Sequence, residues 1–158
     1  MLDTLAHISP QLATILLAMT PYGELRLSLP VAYFFYDLPL WQSYFWSVLG
    51  NMVPPLVILL LADPFNNFVR GRSGFLGKKW AILLITVRQK FNKKYEKYGL
   101  IGLLLFVAIP LPTTGAWTAS LIAFILGFPF KKSILAIFGG IIIAGAVISF
   151  VITGFNWF

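Results

Sequence analysis

The sequence predicts an all-α integral membrane protein: an inverted repeat of a re-entrant helical hairpin plus a transmembrane helix, with a basic amphipathic cytoplasmic helix between the halves. Three observations predict it. The 158 residues are 59% hydrophobic and only 11% charged, with a mean hydropathy of +0.86, whereas a soluble domain carries about 25% charged residues. Apolar segments come in two lengths, two that can span a bilayer and four that reach about halfway. Finally, the breaks and the starts of the long spans recur at a spacing of 91 residues, Pro21 falling on Pro112 and residue 43 on 134.

The first half-length segment is 11 to 20 (QLATILLAMT) and the second is 31 to 36 (VAYFFY). Between them lie Pro21, Gly23, Glu24, Arg26 and Pro30, helix breakers and charges at what would be mid-membrane depth. Residues 11–36 therefore read as hairpin 1. The stretch 43–62 is 20 residues long, which suffices for one crossing. Asn51 with Pro54 and Pro55 marks this span as kinked and mildly polar.

Residues 64–98 form the polar stretch. Trp80, Leu84, Val87, Phe91, Tyr95 and Tyr98 recur at steps of three and four, with Lys79, Arg88, Lys90, Lys93, Lys94 and Lys97 mostly between them. That pattern describes a basic amphipathic helix lying on an anionic leaflet. Hairpin 2 occupies 100–128, its halves LIGLLLFVAI and TASLIAFILGF separated by Pro110, Pro112, Thr113, Thr114, Gly115 and Trp117. The second span, 134–155, shows Ala136, Gly140 and Ala144, then Gly145, Ser149 and Thr153, at steps of four. Small residues so spaced let helices approach closely, either against hairpin 1 or across a homodimer.

Charge placement selects hairpins over broken spans. Nine of the 12 basic residues lie between the two spans, and Lys131 and Lys132 follow hairpin 2. If hairpin 2 returns to the face it entered from, eleven lie on the cytoplasmic side. Residues 64–98 and Lys131–Lys132 are then cytoplasmic and both termini lie outside, in the cell membrane of a prokaryote. The acidic N-terminus lacks the basic region of a signal peptide, so the first segment is expected to stay in the mature protein.

With no cysteine and one histidine, His7, the chain offers no disulfide, thiolate metal site or acid–base constellation. No metal, cofactor or enzymatic activity is expected, and the basic charge of +7 reads as topology rather than as nucleic-acid binding. The chemistry-bearing residues are instead Glu24 and Arg26. An ionisable side chain at mid-span costs about 2.5–3.5 kcal/mol on insertion scales, so both need partners or water. A direct pair at i, i+2 requires an unwound turn, which Pro21 and Gly23 allow. Thr113 or Thr114 is positioned to cap a helix from Gly115 to Phe128, and Thr20 one beginning at Pro21. Two helix N-termini beside Arg26 would favour an anion. Glu24 is then a proton carrier or the group that orients Arg26. His7 and Asp37 are placed near the outer surface and Asp63 at the inner end of the span. Tyr33 to Tyr36, with Trp41, Tyr44 and Trp46, form an interfacial belt.

Glu24-Leu-Arg26-x-x-x-Pro30, the kinked span, the basic stretch and AIPLPTTGAWTAS at 108 to 120 together resemble the small multi-drug export protein family, a branch related to the DedA and VTT-domain membrane proteins. The resemblance covers nearly the whole chain and implies a re-entrant-hairpin fold with a role in membrane transport. The wider superfamily it points to moves lipids across bilayers, polyprenyl-phosphate carriers included, and depends on proton-motive force. DedA proteins carry an arginine in the second hairpin motif, and Pro112 to Trp117 here contain none.

The leading expectation is a homodimeric transporter or flippase for an anionic, lipid-linked phosphate, bound by Arg26, Thr113, Thr114, Gly115 and Trp117, with Glu24 coupling protons. Membrane lipids and a second copy of the chain are its expected partners. A proton-coupled exporter of small hydrophobic cations is the alternative, and a non-transporting membrane-assembly factor a further one.

Overall fold

Ser9 opens the first helix. Its hydroxyl accepts the Leu12 N–H at 3.4 Å and Pro10 takes the first helical position, where a missing N–H costs nothing. The computed structural model describes residues 9–71, 78–79, 82, 84–86, 93–109 and 115–155. Its helices run in the order α1 (Pro10–Ala18), α2 (Glu24–Phe34), α3 (Leu40–Gly71), α4 (Lys93–Ala108), α5 (Ala116–Leu126) and α6 (Phe130–Phe155).

Two of these, over Leu40–Val69 and Phe130–Gly154, are long and apolar enough to cross a bilayer. At 1.5 Å per residue they measure about 45 and 37 Å against a hydrocarbon core of about 30 Å. Much of their apolar surface, including Leu60, Leu61, Leu135 and Phe150, faces outward, as lipid as solvent demands. The shorter helices pack around this pair. Helix α1 lies on α2 and α3, α4 chiefly on α6, α2 on α3 and α6, and α5 on α3 and α6. Leu25, Leu29, Val107, Ala119, Ile137 and Ile141 belong to the shared core.

Glycines set the closest crossings. A Cβ at Gly50 of α3 would lie 2.8 Å from Ala18 Cβ and would strike the Ile15 backbone, so α1 rests directly on α3. A Cβ at Gly140 of α6 would meet Val107 Cβ at 2.6 Å and the Leu104 carbonyl at 2.7 Å, and α4 rests on α6 in the same way. The small-residue stripe of the last span is thus used within the chain. Gly140 serves hairpin 2, while Gly145 admits the Tyr44 ring and Leu25 of hairpin 1.

Several boundaries differ from the sequence reading. Pro30 does not break hairpin 1. It lies inside α2, and the break is confined to residues 19–23 around Pro21 and Gly23. In lipid each free backbone group costs several kcal/mol, so the Leu-rich segment around Pro30 stays helical and gives up one hydrogen bond rather than a turn. The first span runs on through Asp63 and Pro64 to Gly71, and α4 already begins at Lys93, so both ends of the 64–98 stretch continue the flanking helices. Within it Leu84 is fully buried while Lys78, Lys79, Ile82, Ile85 and Tyr98 are exposed. Trp80, Val87, Phe91, Arg88 and Lys90, like His7, lie outside the described residues.

Both spans begin alike. Pro39 precedes α3 and Pro129 precedes α6, and Ser43 and Ser133 each return a hydroxyl to that proline's carbonyl, at 3.2 and 3.0 Å. Gly127, left-handed at φ 74°, ends α5 and lets the Phe128 N–H reach back to the Ala123 carbonyl at 3.0 Å.

Candidate functional site at the hairpin tips

Hairpin 1 turns over residues 19–23. The Thr20 hydroxyl donates to the Leu17 carbonyl at 2.8 Å and accepts the Gly23 N–H at 3.1 Å, capping the single turn that leads into α2. Regular helix starts at Glu24, not at Pro21 as the sequence suggests. Glu24 carries a left-handed backbone, φ 45°, unusual for a residue with a Cβ. That turn sends its side chain away from α1 and into hairpin 2.

The Glu24 carboxylate is buried, 8% exposed, and lies against Gly115 at the head of α5. Its Oε1 accepts the Trp117 backbone N–H at 3.4 Å, with the Ala116 amide alongside. At 3.4 Å the bond is long, so its worth lies chiefly in setting a negative charge on the positive end of a helix dipole, about 0.3–1 kcal/mol at an exposed site and up to ~2 where partly buried. Gly115 is required by this approach rather than by its backbone. Its φ of −163° is extended, but a Cβ there would overlap the carboxylate. Among the described residues of hairpin 2 no side chain caps α5, whose N-cap is Gly115. Glu24 caps α5 across the molecule, because a carboxylate on the long Glu stem reaches the free amides from the opposite tip, while the cap expected from Thr113 or Thr114 lies outside the described residues.

Arg26, in the first turn of α2, faces the other side of the same break. Its Nη2 donates to the carbonyl of Ile109 at 3.4 Å, just beyond the C-terminus of α4. A cation on the negative end of a helix complements Glu24 on the positive end of the next. The two charges of hairpin 1 therefore bracket the break in hairpin 2. Pro110, Pro112, Thr113 and Thr114, within that break, lie outside the described residues.

Hairpin 2 reciprocates. The Trp117 indole N–H donates to the Met19 carbonyl at 3.1 Å, just past the end of α1. Trp117 stands to Met19 as Arg26 stands to Ile109, the second helix of one hairpin closing the last carbonyl of the other's first. Nearby, the Tyr44 hydroxyl of α3 donates to the Ile142 carbonyl of α6 at 3.0 Å. Among the described residues no group of three or more His, Cys, Asp or Glu is positioned to hold a metal ion.

Of the residues the sequence singles out, Glu24, Arg26, Gly115 and Trp117 meet here. Met19, Ile109 and Ala116 join them through backbone atoms that no side-chain pattern reveals, and the hydroxyl of Tyr44, which reads as part of an interfacial belt, bonds across the two spans.

The family comparison falls on the same residues. The model for the small multi-drug export proteins matches residues 24–147, more than three quarters of the chain, and begins at Glu24. The chain belongs to the small multi-drug export protein family. Its two spanning helices fit that membership, and it is a membrane protein. No curated protein and no solved structure matches the chain.

Proposed function

We propose that this family member is a transporter that moves an anionic, lipid-linked phosphate between the two hairpin tips, with Glu24 as its proton carrier. One observation carries the reading: the Glu24 carboxylate on the N-terminus of α5. A helix N-terminus with free amides is an anion site, and here the protein supplies its own anion. A substrate phosphate and the ionised carboxylate are alternative occupants of the same amides. Protonation of Glu24 weakens its hold on α5, and a phosphate then takes its place beside Arg26, assisted by Thr113, Thr114 and Trp117. The bound proton offsets one negative charge carried across.

The topology fits this cycle as an inverted repeat of re-entrant hairpins, a plan that secondary transporters share. Helix α3 begins at Leu40 and α6 at Phe130, α1 ends at Ala18 and α4 at Ala108, each pair ninety positions apart. Gly50 and Gly140 hold the same relation and seat equivalent helices. The positive-inside rule supports a topology with 64–98 and Lys131–Lys132 in the cytoplasm of a prokaryotic cell and both termini outside. The outward apolar faces of α3 and α6 offer a second copy of the chain room to pack as a homodimer. Neither nucleic acid nor a catalytic reaction enters the scheme.

The test is reconstitution in liposomes with a labelled polyprenyl phosphate. Trans-bilayer movement that falls on Glu24→Gln and on Arg26→Ala is expected, while movement unaffected by both removes the assigned roles.

A second reading, export of small hydrophobic cations in exchange for protons, draws support from a small cavity of about 130 Å³. Asp63 lines it together with Phe124, Phe128 and Phe130. A carboxylate ringed by aromatic faces suits an ammonium group, and the family's description names drug export. Resistance to cationic dyes, lost on Asp63→Asn and kept on Arg26→Ala, would favour it. A non-transporting assembly factor would show neither activity.

A further inference from the structure

We propose that the interface between α2 and α3 is a narrow water-filled proton path connecting Glu24 with the membrane face at the α2–α3 turn. It deepens the reading of Glu24 as a proton carrier and rests on it. The ligands are water and the proton, nothing larger.

The path is marked by hydroxyls that do not do what hydroxyls in helices do. A serine or threonine inside a helix usually bonds the carbonyl four residues back. Thr14, Ser43, Ser133 and Thr153 do so here, at 2.7 to 3.2 Å. Ser28 and Ser47 do not. Both are fully buried, and their Oγ atoms have no hydrogen-bond partner among the described residues. Asn51, 3% exposed, has an Oδ1 in the same state. Buried polar side chains are nearly always satisfied, and each that is not costs about 1–3 kcal/mol. Asn66, farther along α3, and Ser149 of α6 share this state, but Ser28, Ser47 and Asn51 gather on the stretch of α2 and α3 that leads from their turn to Glu24, which points to a hydrated seam there rather than to three separate defects.

Their spacing makes the seam continuous. Ser28 follows Glu24 by four residues, on the same face of α2 one turn on. Ser43, Ser47 and Asn51 repeat the interval along α3. The two helices run antiparallel from a short turn, where the Leu38 N–H bonds the Ala32 carbonyl at 3.1 Å. Counting from that turn at 1.5 Å per residue, Ser28 is level with Ser47 and Glu24 with Asn51. Ser43, which also contacts the Leu38 carbonyl at 3.2 Å, stands at the mouth. Pro54 and Pro55 carry no N–H, so the carbonyls of Gly50 and Asn51 lose their intrahelical donors and add acceptors at the depth of Glu24. A proton entering at the turn meets an oxygen at every helical step, over about 12 Å from Ser43 to Asn51.

The naturally cysteine-free chain permits a direct test. Ser28→Cys, Ser47→Cys and, as a dry control, Leu29→Cys, whose parent residue is fully buried, are reconstituted in vesicles of phosphatidylcholine and phosphatidylglycerol. They are exposed to silver ion, and the remaining thiol is titrated. Silver reacts with the thiolate, and each pKa unit that apolar burial adds to a thiol removes about tenfold of it. Ser28→Cys and Ser47→Cys should therefore react at least about tenfold faster than Leu29→Cys. Exchange of Ser for Cys changes one atom, and Asn51→Cys gives a third position should either variant fold poorly. Equal rates at all positions overturn the path. Silver reaching the serine positions in a protein that moves no polyprenyl phosphate supports the path and removes the substrate, whereas transport through a protein with silver-inert serine positions keeps the substrate and overturns the path.

Discussion

The indole of Trp117 and the carbonyl of Met19, 98 residues apart in the chain, form a 3.1 Å hydrogen bond that is shorter than the Glu24–Trp117 and Arg26–Ile109 contacts, each 3.4 Å. It fastens hairpin 2 to the end of α1, and the Arg26 contact with Ile109 fastens hairpin 1 to the end of α4. Neither hairpin can withdraw without baring a carbonyl at the end of the other's first helix.

Trp117→Phe keeps an aromatic ring and deletes the donor. The Met19 carbonyl is then left open, and the expected loss is about 0.5–1.5 kcal/mol of stability. Thermal unfolding in detergent measures it. An unchanged midpoint would show that the indole N–H contributes nothing to the junction.

Gly115→Ala places a methyl group on the Glu24 carboxylate. Overpacking of this kind costs about 1–3 kcal/mol. In a Glu24→Ala background the space is vacated and the same substitution should cost little, so the double-mutant cycle should show a coupling above about 0.5 kcal/mol. Additive effects would place the carboxylate elsewhere.

The crossing glycines separate from the idle ones. Gly50→Ala and Gly140→Ala each drive a Cβ into backbone of the neighbouring helix and should destabilise, whereas a methyl group added at Gly102 or Gly154 would have nothing within 4 Å. Alanine at those two positions should be neutral or stabilise by up to about 1 kcal/mol through helix propensity. Melting temperatures of the four variants in one detergent make the comparison.

Topology is decided by two exposed lysines. With hairpin 2 re-entrant, Lys78→Cys and Lys131→Cys lie on the same face, and an impermeant maleimide should label both from the cytoplasmic side of the membrane. Labelling of the two from opposite faces would make α4 and α5 a broken span.

The spans, the two helix interruptions and the place of Glu24 and Arg26 beside them were legible because hydropathy and the cost of charge in lipid are local properties of sequence. The partners of those charges were not. Glu24 meets Trp117 and Arg26 meets Ile109 only once the hairpins are brought together, and in both of these contacts, as in the Trp117–Met19 bond, one partner is a backbone group common to every residue type. Pro30 misled for the opposite reason. As a local signal it says break, but the environment penalises a broken helix more than a missing hydrogen bond. Ser28 and Ser47 left a trace, small polar residues one turn from Glu24 and from Ser43, visible only when the two segments are aligned across their turn.

The left-handed backbone at Glu24 carries its own consequence. Such a conformation costs a residue with a Cβ about 1–2 kcal/mol, and what holds it is the carboxylate's attraction to the head of α5. The tip is therefore a loaded spring whose catch is a single negative charge. On the proposed reading of Glu24 as a proton carrier, neutralising the charge would let the backbone relax toward its ordinary right-handed form and draw the side chain out of hairpin 2, so that one proton would be converted into movement at the tips.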